Sequence, residues 1–219
     1  RGRFRMENSN ERQPISAAYA TQMQIMVNAL NEVPVSANTV NGSKGIGVLL
    51  SNAIMFQRFP THQDYDDPQL SNFYGMVMPL LKKGILVETV HIENVGNPAT
   101  LKNIKVLIMS YANMKPLSAD YHQHIANWVK NGGTLLYYGR DNDPFQTVKE
   151  WWNSEGKAFT SPSQHLFQLL GISPEENKFY QTVGKGKVLV VKQDPKELVL
   201  TPSNDAQFVA QIKTAYESS

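Results

Sequence analysis

The sequence predicts an α/β protein of three layers: a mostly parallel central sheet, helices on both of its faces, and an N-terminal helical arm. Three observations lead there. Short apolar runs recur at IGVLLSNAIMF (46–56), KVLIMSY (105–111), TLLYYG (134–139) and KVLVVKQ (187–193), as expected of strands buried on both faces. Stretches of helical spacing separate them. Strand–helix alternation of this kind is the pattern of a parallel sheet joined by crossover helices.

Taken in order, residues 1–13 are polar, and the basic start RGRFR reads as a tail. ISAAYATQMQIMVNALNEV (15–33) has helical spacing, with Tyr19, Met23, Met26, Val27 and Leu30 on one face and Pro14 suited to a first turn. A Met-rich stripe of this sort is expected to be core or interface, with a ligand groove as the alternative. PVSANTVNGSKG (34–45) reads as a linker. The expected organisation is therefore tail, helix and linker over 1–45 and the α/β domain over 46–219.

Within that domain, PQLSNFYGMVMPLLKKG (68–84) reads as a helix that tolerates Pro79 and ends at Gly84, and ILVETVHI (85–92) alternates as a strand. SADYHQHIANWVKNGG (118–133) is a helix with Ser118 as N-cap, an apolar face of Tyr121, Ile125, Trp128 and Val129, and a glycine stop. PFQTVKEWWNSEG (144–156) and SPSQHLFQLLG (161–171) predict short helices, VGKGK a hairpin, and NDAQFVAQIKTAYE (204–217) a closing helix.

Composition narrows the function classes. The 219 residues, 41 % of them hydrophobic, suit one domain plus an appendage. Net charge is +2 and no Lys/Arg run tracks an aromatic stripe, so no nucleic-acid partner is expected. The absence of cysteine removes disulfides, thiolate metal sites and Cys nucleophiles. No apolar run reaches the roughly 18 residues of a membrane span, and no signal-peptide pattern is present. The chain opens on Arg1, which reads as a piece of something longer.

Open α/β sheets bind ligands beyond the carboxyl ends of their strands. Three loops qualify: 51–67, YANMKP (111–116) and GRDNDP (139–144). They bring Asp64, Asp66, Asp67, Arg140, Asp141 and Asp143 to one rim as candidate contacts for a ligand or partner. The first loop carries THQDYDD (61–67). His62, Asp64 and Asp66 alternate as oxygen ligands of a hard cation can, but the Gly and distal Glu of a calcium loop are missing. His122 and His124 are two apart on a helix, whereas helical zinc pairs sit four apart. No metal and no cofactor is expected. Asp residues of loops one and three would suit a glycosidase pair only at a set separation, which the sequence does not define. The plainer account is that Asp67 caps a helix opened by Pro68, with Asp64 and Asp66 beside its positive end.

Other motifs are weaker. GSKGIG (42–47) precedes the first strand, whereas a dinucleotide loop follows one. Ser110, Asp120 and His124 are triad types without a GxSxG elbow. Trp151 and Trp152 are expected to split between core and interface, with sugar stacking as the alternative.

KNIKVLIMSYANMKPLSADYHQHIANWVKNGGTLLYYGR (102–140) resembles the class I glutamine amidotransferase-like fold, a flavodoxin-like arrangement; FYGMVMPLLKKGILVETVHI (73–92) and VGKGKVLVVKQDP (183–195) fit its other parts. The variant it most resembles is the middle, trimerisation domain of family 42 type β-galactosidases and related carbohydrate-active proteins. In the amidotransferases a nucleophilic Cys stands where this chain has Gly139, Arg140 and Asp141, and the catalytic His lies near Gln193, Asp194 and Pro195. Neither is present, and an Arg guanidinium cannot replace a thiolate. The resemblance therefore implies no catalytic residue in this chain. It implies a non-catalytic domain of a larger carbohydrate-processing protein, serving assembly or shaping a neighbouring active site. The implied partners are an upstream domain or a homo-oligomer, and carbohydrate; the implied location is secreted or periplasmic. The alternatives are a glycan hydrolase using loop carboxylates and a sugar-binding module.

Overall fold

The computed structural model describes residues 14–32, 43, 45–55, 70–173, 175, 179–201 and 203–218. The RGRFR tail, most of the 34–45 linker, His62 and the candidates Asp64, Asp66 and Asp67 lie outside them. The chain divides into two compact units, Arg1–Val40 and Asn41–Ser219. The first contains helix α1 (Ala17–Glu32), which has no buried residue. Tyr19, Met23, Met26, Val27 and Leu30 are all exposed, so the stripe forms as expected but is not core.

The second unit is built on a six-stranded sheet of order β2-β1-β3-β4-β6-β5. Its strands are β1 (Ile46–Leu50), β2 (Glu88–His91), β3 (Val106–Met109), β4 (Thr134–Tyr138), β5 (Gln181–Val183) and β6 (Gly186–Val191). All pairings are parallel except β5 with β6, the hairpin at one edge. The helices are α2 (Ser71–Leu81), α3 (Pro98–Leu101), α4 (Asp120–Lys130), α5 (Pro162–Leu170), α6 (Glu197–Leu200) and α7 (Asp205–Glu217). The parallel strands run in the flavodoxin-like order, with the reversal between β1 and β3.

The two-residue period of the strands divides the core. Leu49, Val90, Leu107, Leu135, Tyr137 and Val188 point to one face and meet Ile125, Val129, Leu166 and Phe167 of α4 and α5. Val48, Val106, Ile108, Leu136, Tyr138 and Leu189 point to the other and meet Met76 and Leu80 of α2, Leu198 of α6, and Phe208 and Ile212 of α7. Alternation thus stays invisible in the runs themselves, because both faces are apolar.

Three local expectations change. α2 begins at Ser71, with Leu70 as its N-cap in the left-handed region at φ 63° and no side-chain cap. The segment 144–156 forms only a 3-10 turn, Pro144–Thr147, followed by turns. Asp143 caps it through Phe145 N–H, and Val148 leaves helical geometry. α4 opens one residue late, with Ala119 as N-cap, while Ser118 Oγ accepts from Asp120 N.

Gly75 shows how tightly the layers meet. A Cβ there would lie 1.8 Å from the carbonyl oxygen of Pro195, just ahead of α6. In an open helix Gly→Ala stabilises by about 1 kcal/mol. Here it forces backbone apart, at a cost of about 1–3 kcal/mol. Gly75→Ala is expected to lower the thermal midpoint; an unchanged or raised midpoint would mean that α2 and the Pro195 turn separate freely.

Candidate functional site

The loops after the parallel strands form one polar rim. At the end of β1, Ser51 Oγ donates to Glu93 Oε1 (3.1 Å), which also accepts from Asn52 N (2.8 Å). After β3 the chain places Tyr111, Asn113 at φ 56°, and Lys115. After β4 come Gly139, Arg140, Asp141 and Asp143; after β6, Lys192 and Asp194.

Lys115 is 1 % exposed. Its Nζ donates to the Tyr111 carbonyl at 2.7 Å and forms a short ion pair with Asp143. Burial lowers its pKa, and Asp143 beside it pulls the other way. Asp143 also accepts from Phe145 N (3.0 Å) and Gln146 Nε2 (3.4 Å). One carboxylate therefore caps a turn and balances a buried ammonium, so neither task leaves it open to solvent.

Asp141 sits at φ 56°, a region that costs a non-glycine residue energy and persists where surroundings enforce it. Tyr137 Oη donates to one carboxylate oxygen and Ser163 Oγ to the other, the latter at 2.7 Å. Lys192 Nζ lies 3.9 Å away. Burial pushes the Asp141 carboxyl above its ordinary pKa, against these hydrogen bonds and the Lys115 and Lys192 charges. Arg140 pairs through its guanidinium with Glu197 and, at 3.6 Å, with Asp194. Its backbone N–H donates to Asp194 Oδ1 at 2.9 Å, tying the loop after β4 to the loop after β6. The structure thus brings Arg140, Asp141 and Asp143 to the rim, each with protein partners.

Beside Asp141 lies a chain that the sequence reading missed. Tyr111 Oη is 2.7 Å from His122 Nε2, and His122 Nδ1 is 2.9 Å from His165 Nδ1. The contact between the two Nδ1 atoms needs one proton, so one ring donates and the other accepts. Burial, then the neighbouring His165, lowers the His122 pKa to about 3. His165 is lowered too, by burial and by Lys157. A signal existed: His122 stands three, four and seven residues before the buried Ile125, Ala126 and Val129, which puts it on the apolar face. His124 is exposed, so the two histidines diverge as expected. Trp152 is buried and Trp151 half-buried, its Nε1 donating to the Pro116 carbonyl (2.8 Å) with its ring against His122 and His165.

Among the described residues, three buried acceptors on the rim have no hydrogen-bond partner: Glu93 Oε2, Asn113 Oδ1 and Gln146 Oε1. They follow β2, β3 and β4 respectively. Among the described residues no three His, Asp or Glu side chains gather as metal ligands, and no helix is long and apolar enough to cross a membrane.

Fold and rim together define a doubly wound α/β protein whose strand-end loops are stapled to one another by polar side chains. No protein-family model matches the sequence, and no curated protein matches it. Among solved structures the chain is similar to an exo-beta-1,4-mannosidase from Opitutaceae bacterium strain TAV5, at 13 % identity and a TM-score of 0.42. That match covers 80 % of this chain and 36 % of the mannosidase, so the chain spans about a third of its length. It is also similar to a putative ThuA-like protein from Bacteroides uniformis, at 14 % identity and a TM-score of 0.31, over 47 % of this chain and 39 % of that one.

Proposed function

We propose that this chain is a non-catalytic, amidotransferase-like domain of a larger carbohydrate-processing protein, serving assembly or shaping of a neighbouring active site. The observation that carries the reading is the staple between the loops after β4 and β6. On the resemblance, these loops would hold a nucleophile and its histidine. Here Arg140 N–H is bonded to Asp194 and both Asp141 oxygens are bonded to Tyr137 and Ser163. With both oxygens engaged, this buried carboxylate contributes rigidity and charge balance to the rim.

The exposed face of α1 supports the assembly role. Met23, Met26, Val27 and Leu30 form an apolar stripe on a helix with no buried residue, and exposed apolar stripes mark protein contacts. The partner in this reading is a second copy of the protein, with the α1 stripe as the contact surface. Sedimentation of the chain is expected to give a mass above the monomer. Met23→Asp with Leu30→Asp should return it to monomer while leaving its far-UV circular dichroism unchanged, since these side chains are exposed. A strictly monomeric parent protein would overturn the reading.

The sugar-binding alternative draws on the unpartnered Asn113 and Gln146 oxygens, which suit hydroxyl donors. Its test is calorimetry with neutral oligosaccharides, in which no heat counts against it.

A further inference from the structure

A cleft of about 660 Å³ opens at the amino-terminal ends of β3 and β4, the edge of the sheet opposite the rim. One wall is α4. His124, Asn127, Trp128 and Asn131 line the cleft, and their spacing of three, four and seven puts them on one helix face. The other wall is the 95–105 segment, with Asn97 and Lys102 at its edge and Leu101 and Ile104 below. The volume lies within the range of small-molecule sites, and an apolar floor with few convergent polar groups is their usual make-up.

The polar groups have a definite bias. Asn127 Oδ1 already accepts from Gln123 Nε2 at 2.9 Å, and Asn97 Oδ1 from Ala99 N at 3.0 Å. Each amide therefore keeps its NH2 donors for the cleft. Lys102 adds an ammonium, Lys105 adds a second whose Nζ lies 5.2 Å over the Tyr216 ring, and no Asp or Glu is among the lining residues. The carboxyl end of α4 does not oppose an anion with bare carbonyls. Those of Asn127, Trp128, Val129 and Lys130 accept from the N–H groups of Asn131, Gly133, Gly132 and Lys185 respectively. Trp128 supplies a half-buried indole held by Gly133, where a Cβ would come within 2.4 Å of the ring.

We propose that this cleft binds an anionic pyranose, a sugar ring carrying a carboxylate, with the ring against Trp128, hydroxyls on the Asn97, Asn127 and Asn131 amides, and the carboxylate on Lys102. An indole suits the flat apolar face of a pyranose, the amides its hydroxyls, and the ammonium its charge. The site is independent of the assembly role: it shares no residue with the rim or with α1.

The test is a titration of the intact chain with methyl glucuronide and methyl glucoside, followed by NMR at the Trp128 indole and His124 ring. The glucuronide is expected to shift both, and the uncharged glucoside to bind more weakly. Lys102→Ala should weaken the glucuronide roughly fivefold, the value of one exposed ion pair. Because Trp128 packs partly on the core, Asn127→Asp is the second variant; it places a negative charge in the cleft on an exposed helix position and should abolish binding. Silence at Trp128 and His124, or an affinity indifferent to Lys102→Ala, overturns the proposal. So does binding of AMP in place of the glucuronide, which would make the cleft a nucleotide site.

Discussion

Asp143→Ala is expected to destabilise the protein by about 3–5 kcal/mol, the cost of leaving one member of a buried ion pair without the other. Lys115 is 1 % exposed, and its ammonium has Asp143 as its ion-pair partner. The same substitution removes the cap on Phe145 N–H. The Lys115→Met, Asp143→Asn double variant should recover much of that loss, because it removes both charges and keeps a side-chain oxygen for the turn. Chemical denaturation of Lys115→Met, Asp143→Asn and the double variant gives the coupling directly. Additive effects would mean that the pair does not hold the loops after β3 and β4 together.

The second large effect is on acid stability, through His122. Its folded pKa is about 3, below the unfolded value near 6.5. The unfolded chain therefore takes up a proton as pH falls through 6.5 while the folded chain does not. Stability from this group is full above about pH 6.5 and is lost as pH falls from there toward 3. By pH 5 the loss is about 2 kcal/mol. Asp141 acts with the opposite sign: its raised folded pKa makes the folded state the better proton acceptor, so stability is gained as pH falls through that pKa. His165, also lowered, adds to the acid loss. His122→Gln keeps a partner for Tyr111 Oη and removes the titration of that ring. It is expected to lose about 1–2 kcal/mol at neutral pH and to flatten the fall in thermal midpoint between pH 7 and 5. An unchanged slope would show that the Tyr111–His122–His165 chain does not govern acid stability.

Both effects arise from residues that composition does not single out. Lys115 was legible only as a lone basic residue in the second rim loop. Its burial follows from the Asp143 turn arriving over it, 28 positions later in the chain. His122 carried a helical-period signal, yet its partners come from a strand end and from another helix. Arg140, Asp141 and Asp143 were legible as rim residues, because a loop after a buried strand must lie there. Their pairing with Glu197, Ser163 and Lys115 was not, since each partner belongs to another crossover unit.

By itself the sequence determined the strands, most of the helices and the parallel layering, because these follow from local period and from the need to bury apolar runs. It also determined that no thiol chemistry is available, since there is no cysteine. Only the tertiary structure decided that 144–156 stays a turn, that the α1 stripe is exposed, and that Asp141 and Asp143 are bound to neighbours. The physical reason is range. A helix or strand is specified by residues a turn or a pleat apart, whereas the state of a polar side chain depends on which distant groups the fold brings within about 3 Å of it.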